Sequence, residues 1–491
     1  MTDALVILCI LLAALGMIPT LSSFAQFLII GWHGVRNNYS VCRDYTPRVA
    51  FVLPAWNEAD VIGSSIDSLM SLSYPPGAWR IYVVDDASTD HTPAVMREKM
   101  AQYPGSVFHL RREVGGQGKA HTLNHGLKTI LAEDWAEAVM IMDADVLFEP
   151  LTLRRMARHL ADPTVGGVTA YVKEGSQPGN LLTRFIAFEY ITAQAAARRA
   201  QNVLGVLACM AGGAQLHSRE NLIAIGGAID TSTLAEDTYT TFKTQLSGRR
   251  VVFDGNAVVW AEEPDSVTAL WKQRLRWGRG NLQLSAAFRN LWFRPGRHGR
   301  LGSVAFGVLW FAVALMPVFM IMSSIGVIGL YFLRPPWAWI AFTILWSATF
   351  VAYLFETLFS FAIDPATGRR TWFEGLAFPG VISVCIMLIA VSRLPLLSGA
   401  ADWIEAGHWS WRDIPVQLIL AWTGISTVAA WLVYRLDGVG APKWLRNIFL
   451  VLVGYGPLVC AVAFAAIIAE FRKTDQRWDK TIKSGKARIL K

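Results

Sequence analysis

Charge is scarce in this sequence. Asp, Glu, Lys and Arg make up 17% of the 491 residues, against about a quarter in ordinary soluble domains. With 53% hydrophobic residues and a mean hydropathy of +0.36, a wholly soluble protein of this length is excluded. The composition implies an integral membrane protein carrying a soluble domain. Paired cysteines are lacking as well. Cys9, Cys42, Cys209, Cys385 and Cys460 form no Cys-x-x-Cys pair, and three of them lie inside apolar runs, so neither a disulfide framework nor a zinc site is indicated. A Walker loop is missing too. In Gly115-Gly116-Gln117-Gly118-Lys119 the first required glycine is replaced by Glu113 and the lysine is followed by Ala120, which argues against an ATPase. A net charge of +8 and a pI near 9.3 are compatible with nucleic acid. The basic residues gather beside apolar runs, however, where an anionic lipid leaflet accounts for them, so the lipid bilayer is retained as a partner and nucleic acid is not.

The remainder falls into segments. Residues 4–32 carry no charged side chain, which exceeds the roughly 20 residues needed to span a bilayer. The start Met1-Thr2-Asp3 lacks the basic region of a signal peptide, so residues 1–35 read as a transmembrane helix. Arg36, Arg43 and Arg48 then place the next segment in the cytoplasm. Residues 47–265 alternate short apolar strands (49–53, 80–84, 138–142) with helical spacing (59–72, 92–102, 120–131). That alternation predicts an α/β domain with a mostly parallel, doubly wound sheet, whose ligands bind at the carboxyl ends of strands. Residues 181–199 read as an amphipathic helix lying on the inner leaflet.

Residues 266–300 hold an interfacial helix, 301–471 a transmembrane region, and 472–491 a basic cytosolic tail. Apolar runs at 304–333, 337–363, 373–391, 415–434 and 448–469 come after the domain. A cytoplasmic tail requires an even number of crossings after a cytoplasmic domain, so residues 373–411, interrupted by Pro379, Arg393, Pro395 and Asp402, are expected to be interfacial or re-entrant. Trp292, Trp337 and Trp339 sit at expected span ends.

The carboxylates gather at strand ends. One strand runs into Asp85-Asp86 and another into Asp143-Ala144-Asp145. A single acid there is usually a turn former, but two such sites can hold a hard divalent ion that bridges a bound diphosphate. Glu236-Asp237 opens an expected helix; by itself the pair reads as a helix start favoured by the dipole, and functionally as a general base. Farther on, Gln273, Arg276 and Trp277 fall at i, i+3 and i+4, which puts an amide, a guanidinium and an indole on one helix face. Alone, this stretch reads as an interfacial anchor.

Taken jointly, Pro54-Ala55-Trp56-Asn57-Glu58, Val84-Asp85-Asp86, Gly118-Lys119-Ala120, Asp143-Ala144-Asp145, Glu236-Asp237 and Gln273-Arg274-Leu275-Arg276-Trp277 resemble the family 2 glycosyltransferases. Within them they are similar to the processive membrane synthases of cellulose, chitin, hyaluronan and poly-N-acetylglucosamine. The resemblance implies a GT-A, Rossmann-like cytosolic domain inserted between transmembrane helices in the bacterial inner membrane. It implies that Asp86 and Glu58 hold uridine with Lys119 nearby, that Arg274 belongs with the donor-binding residues, and that Asp145, with Asp143 behind it, carries Mg2+ or Mn2+. Asp237, beside Glu236, would be the base, Arg276 would face the leaving phosphate, and Gln273 and Trp277 would complete the acceptor side. The implied partners are a UDP-sugar, a growing polysaccharide and the bilayer, with an accessory regulatory or export subunit open.

Two departures qualify this. Ala208-Cys209-Met210-Ala211-Gly212-Gly213 does not match the Phe-Cys-Gly motif of cellulose synthases, and no C-terminal domain able to bind a cyclic dinucleotide is expected after the spans. Both lean towards polymerases of N-acetylhexosamines. The expectation is a processive, inverting synthase using UDP-N-acetylglucosamine. The alternatives are a membrane transferase placing one sugar on a lipid carrier, and a transporter or receptor with a sugar-binding domain.

Overall fold

The structure, a computed structural model, describes residues 2–35, 42–296, 299–392, 414–474 and 483–490. It divides into two units. One comprises residues 29–265, 280–307 and 475–491; the other comprises 1–28, 266–279 and 308–474.

The first of these is built on an eight-stranded sheet of order β3-β2-β1-β4-β7-β6-β8-β5. The strands are β1 (Val49–Ala55), β2 (Trp79–Asp85), β3 (Val107–Arg111), β4 (Ala138–Ile141), β5 (Leu147–Phe148), β6 (Val165–Glu174), β7 (Gln215–Ser218) and β8 (Arg250–Ala261). Val49 through Leu53 and Ala138 through Met140 are completely buried, which is why these strands read as uninterrupted apolar runs: helices cover both faces of a parallel sheet. Pairings β1–β2, β1–β4, β2–β3 and β6–β8 are parallel, whereas β4–β7, β6–β7 and β5–β8 are antiparallel. The mostly parallel expectation therefore holds for the first half of the sheet, and the second half is mixed. Antiparallel strands need no crossover helix, so the spacing rule that locates the first strands has no purchase there.

The helix Lys119–Ala132 crosses the first half. Leu123, Leu127 and Ile130 pack on Val52, Tyr82, Val84 and Val139. Gly126 lies so close to the sheet that a Cβ would come within 2.6 Å of Val84 and 2.8 Å of Val52. The stretch expected on the leaflet is folded inward instead. Phe185, Phe188 and Ile191 are buried, and Asn202 exchanges two hydrogen bonds with the backbone of Phe253 in β8. Its apolar face covers protein because the second half of the sheet needs a helical layer. Trp292 likewise packs against Phe242 and Phe306 rather than marking a span end.

Among the described residues three helices are long and apolar enough to cross a membrane: Thr2–Trp32, most of which belongs to the other unit, and Met316–Leu333 and Pro335–Ile363 within it. The run 304–333 is broken into Val304–Ala314 and Met316–Leu333, with Pro317 at the start of the second piece. The run 448–469 is also not one rod. Lys443–Val453 and Tyr455–Phe471 meet at 89°. Gly454 (φ 102°) sits at the bend, with Gly380 (φ 87°) against it: a Cβ on Gly454 would lie 2.3 Å from the Gly380 nitrogen. Left-handed backbone and this approach both require glycine. Of the segment expected to be re-entrant, Trp372–Ala377 and Val381–Ser392 are helices, and 393–411 lies outside the described residues.

Gly126→Ala is expected to overpack this contact and destabilise the sheet-bearing unit by about 1–3 kcal/mol. A fall in its thermal unfolding midpoint is the check, and an unchanged midpoint would show that Val52 and Val84 can yield.

Candidate active site

Strand ends deliver the acidic residues. β2 ends in Asp85, which is fully buried, accepts the backbone N–H of Ser88 at 2.7 Å, and meets His109 and Arg111 at 3.2 Å each. Burial pushes its carboxyl upward, but the hydrogen bonds from His109 and Ser88 and the charge of Arg111 outweigh this and hold it below the usual range. Asp85 is therefore a fixed anion that shapes the loop after β2. Asp86 points elsewhere: its carboxylate accepts the Gly116 N–H at 2.8 Å and pairs with Arg112. The glycine-rich loop is thus docked on Asp86.

Asn57, in left-handed backbone (φ 53°), ties the loop after β1 to the one after β2. Its Oδ1 accepts from Thr89 N at 2.8 Å, and its own N–H donates to Ser88 Oγ at 2.9 Å. Glu58, beside it, begins the helix Ala59–Met70 and donates its backbone N–H to Thr92.

A second cluster forms around Lys119. Its Nζ lies 2.6 Å from Asp143 and 3.4 Å from Glu236. Burial of this ammonium favours its neutral form, yet Asp143 and Glu236 more than offset that and keep it charged. A Cβ on Gly212 would fall 2.9 Å from Lys119 Nζ, 3.6 Å from Asp143 Oδ2 and 3.7 Å from Asp237 Oδ2. Lys119, Asp143 and Asp237 therefore converge on Gly212, and Glu236 joins them through Lys119. The loop that carries Gly212 is stitched to the helix Glu236–Leu246 by Met210 N→Thr241 Oγ1 at 2.9 Å and Leu207 N→Gln245 Oε1 at 2.9 Å. Lys119, expected beside the nucleotide-binding Asp86, stands with the acids after β4 and at the helix start.

Asp145 is held by a residue that no sequence motif marks. Lys483 Nζ lies 2.8 Å from Asp145 Oδ2. Burial disfavours this ammonium as well, and Asp145 and Glu263 overcome it. The tail around it is bonded in place: Glu262 accepts the N–H groups of Ser484 and Lys486 at 2.9 Å, and Arg488 N donates to Gly175 O at 2.8 Å. The tail's basic composition by itself suggests only attraction to lipid. The available signal is Asp145, an anion at a strand end that needs a cation.

Among the described residues no three His, Cys, Asp or Glu side chains form a ready metal cage. Asp143 and Asp145 nevertheless fit a hard divalent ion, which takes one or two carboxylates and completes its shell with water and phosphate. Each of these carboxylates is presently neutralised by an ammonium, the combined charge that one such ion supplies.

Gln273, Arg274, Arg276 and Trp277 lie on the helix Val267–Ala287, in the part that belongs to the unit with the long apolar helices. Gln273 and Arg274 are buried, and the Arg274 guanidinium sits 4.1 Å over the Trp277 ring. The stacking partner of the indole is thus Arg274, at i−3. Thr268 at the start of this helix bonds Asp437, and Arg279 pairs with Glu470 at 3.1 Å.

Residues 47–280 match the family model described as "Glycosyltransferase like family 2". The chain carries a family 2 glycosyltransferase domain. The transferase domain is 32% identical over 238 residues to the beta-monoglucosyldiacylglycerol synthase of Synechocystis sp., covering 48% of each chain. It is 27% identical over 235 residues to the poly-beta-1,6-N-acetyl-D-glucosamine synthase of Staphylococcus aureus, covering 47% of this chain and 54% of that one. The chain thus spans about half the length of these curated relatives. In fold it is similar to the mannosyltransferase PcManGT from Pyrobaculum calidifontis in complex with GDP-Man and Mn2+, with a TM-score of 0.51, 22% identity, and coverage of 81% of this chain and 99% of that one. The sheet is accordingly of GT-A type.

Gly212→Val would drive two methyl groups into the space between Lys119, Asp143 and Asp237. Transferase turnover should fall by about 10²-fold or more, since misplacement by an ångström is enough for that, while the thermal unfolding midpoint stays within a few degrees. Full activity in this variant would show that the three side chains are not used together.

Proposed function

We propose that the protein is a processive, inverting transferase that builds a β-linked polysaccharide from a UDP-sugar, UDP-N-acetylglucosamine being the preferred donor, and passes the product across the inner membrane. The observation that supports it most is the convergence of Lys119, Asp143 and Asp237 at Gly212, with Glu236 paired to Lys119. In this reading Asp237 takes the proton of the acceptor hydroxyl. The hydroxyl oxygen then bonds to the anomeric carbon from the face opposite the bond to the diphosphate, that bond breaks, and UDP leaves. One inversion per step gives a β-linkage from an α-linked donor.

Asp86 and Glu58 are assigned to the uridine side, with Lys119 and Arg274 among the donor-binding residues. Asp145 and Asp143 would hold Mg2+ or Mn2+, which supplies the positive charge that a departing diphosphate requires. Arg276 suits the same phosphate, because a guanidinium pairs with two oxygens at once. Trp277 offers a flat apolar face for the acceptor sugar, with Gln273 beside it. All of these groups act by binding the charge distribution of the transition state better than that of the ground state.

A second reading is a single addition to a lipid carrier. The Synechocystis relative, named for a glucosyldiacylglycerol product, favours it. The polymerase reading draws on the S. aureus relative and on the Gln273-to-Trp277 motif with long apolar helices after it. Purified protein offered a panel of labelled UDP-sugars with Mn2+ should release UDP; no turnover with any donor would sink both readings. A product ladder supports polymerisation, and a single lipid-soluble product supports the second reading.

Asp237→Asn should lower turnover by about 10²- to 10⁴-fold while UDP binding persists; lost UDP binding in a folded variant would show the base assignment to be wrong. Lys483→Met removes the ammonium at Asp145. Calorimetry should then record tighter Mn2+ binding to the donor-free protein than in the wild type, and unchanged binding would remove Asp145 from the metal site.

A further inference from the structure

A separate cluster sits where the chain enters the transferase domain. Cys42 Sγ lies 3.2 Å from Nδ1 of His159, and Nε2 of the same ring lies 3.0 Å from Oδ2 of Asp254. Asp254 also accepts from Arg158 at 3.0 Å and from the backbone N–H of Asn256 at 2.9 Å. His159 and Asp254 have no solvent exposure, while Cys42 is exposed. The order from solvent inward is therefore sulfur, imidazole, carboxylate.

The hydrogen bonds define what the ring can do. Burial pushes the Asp254 carboxyl up, but His159, Asn256 and Arg158 outweigh that and hold it below the usual range, so it is an acceptor. Nε2 must then carry the proton that the carboxylate accepts, and in the neutral ring Nδ1 presents its lone pair to the thiol. A nucleophile, a base and a third group that orients the base stand in line. A core His–Asp pair would need no thiol. With Arg158 balancing the carboxylate, the pair is complete without Cys42, and structural cysteines are buried, whereas this one is exposed.

We propose that Cys42 is a nucleophilic thiol, with His159 as its base, and that it exchanges with a low-molecular-weight disulfide. Sγ bonds to one sulfur of the disulfide and the disulfide S–S bond breaks. The thiol proton passes to Nδ1 of His159 and from there to the departing thiolate. One mixed disulfide and one small thiol result, and the disulfide is the only oxidant. Exchange on sulfur needs an accessible thiol and a base, and the cluster supplies both. Asp254 acts through His159 by holding the ring in the tautomer that can receive the proton.

The test uses full-length protein in detergent, 2-hydroxyethyl disulfide at pH 7, acid quenching, and peptide mass spectrometry of the Cys42 adduct. The reference is a synthetic peptide of residues 40–45, which keeps Arg43 and Asp44 but lacks His159. Cys42 in the protein should form its adduct about tenfold faster than the peptide, and His159→Gln should bring the rate down to that of the peptide. A wild-type rate equal to or below the peptide's overturns the proposal, as does an undiminished rate in folded His159→Gln. Should that variant not fold, the comparison of wild type with peptide decides alone.

Discussion

The ammonium of Lys119 is buried, and it stays charged because two carboxylates from distant parts of the chain reach it. Asp143 arrives at the end of β4 and Glu236 at the start of a helix almost a hundred residues later. Removing one member of such a set leaves a buried charge without compensation, at a cost of about 3–5 kcal/mol. The lysine is therefore a constraint on assembly as well as a functional group. It fixes where the Glu236–Leu246 helix starts relative to the sheet, and Asp237 comes with it. The loop through Gly212 has to pass between them without a side chain.

This explains why the strand-end acids are legible in the sequence while the partners they meet are not. The parallel half of the sheet is buried on both faces, so β1 and β4 are unbroken apolar runs and β2 is one from Ile81 to Val84, and the acids after β2 and β4 mark strand termini directly. The second half is mixed, with a two-residue strand in β5 and irregular register in β6 and β8, and no periodic signal describes such a layer. Asp143 and Glu236 are legible as acids, but their shared partner is not: the neighbours of Lys119 in the chain assign it to a nucleotide loop, and only the three-dimensional path brings it across to them.

Amphipathicity misleads for a related reason. Residues 181–199 have an apolar face, and in a chain rich in long apolar helices that face is as easily assigned to lipid as to protein. Phe185 and Phe188 turn inward because a sheet with strands added on its far side exposes apolar surface that must be covered. In the apolar half, length alone suggests continuous spans. Pro317 and the contact between Gly380 and Gly454 break two of them. A glycine inside an apolar run is a weak signal by itself; what gives it force here is a second glycine backbone pressed against it, which no reading along one dimension contains.

The sheet-bearing unit also holds two flanking stretches of the chain, the one that enters it before β1 and the C-terminal tail, and both anchors are polar. On the entering side Cys42 meets His159, Asp44 pairs with Arg154 at 3.0 Å, and Tyr74 donates to Pro47 O at 2.8 Å. The C-terminal tail returns to the same domain: Lys483 meets Asp145, and Glu262 gathers the backbone of residues 484 and 486. Apolar packing would hold such segments permanently. On the entering segment, where Cys42 and Asp44 are exposed, a polar bond instead exchanges with water for a net cost of only about 0.5–1.5 kcal/mol, whereas Lys483 lies buried against Asp145. The entering segment is therefore the more open of the two to exchange, while the tail is tied by a buried ammonium to an acidic strand end suited to a metal.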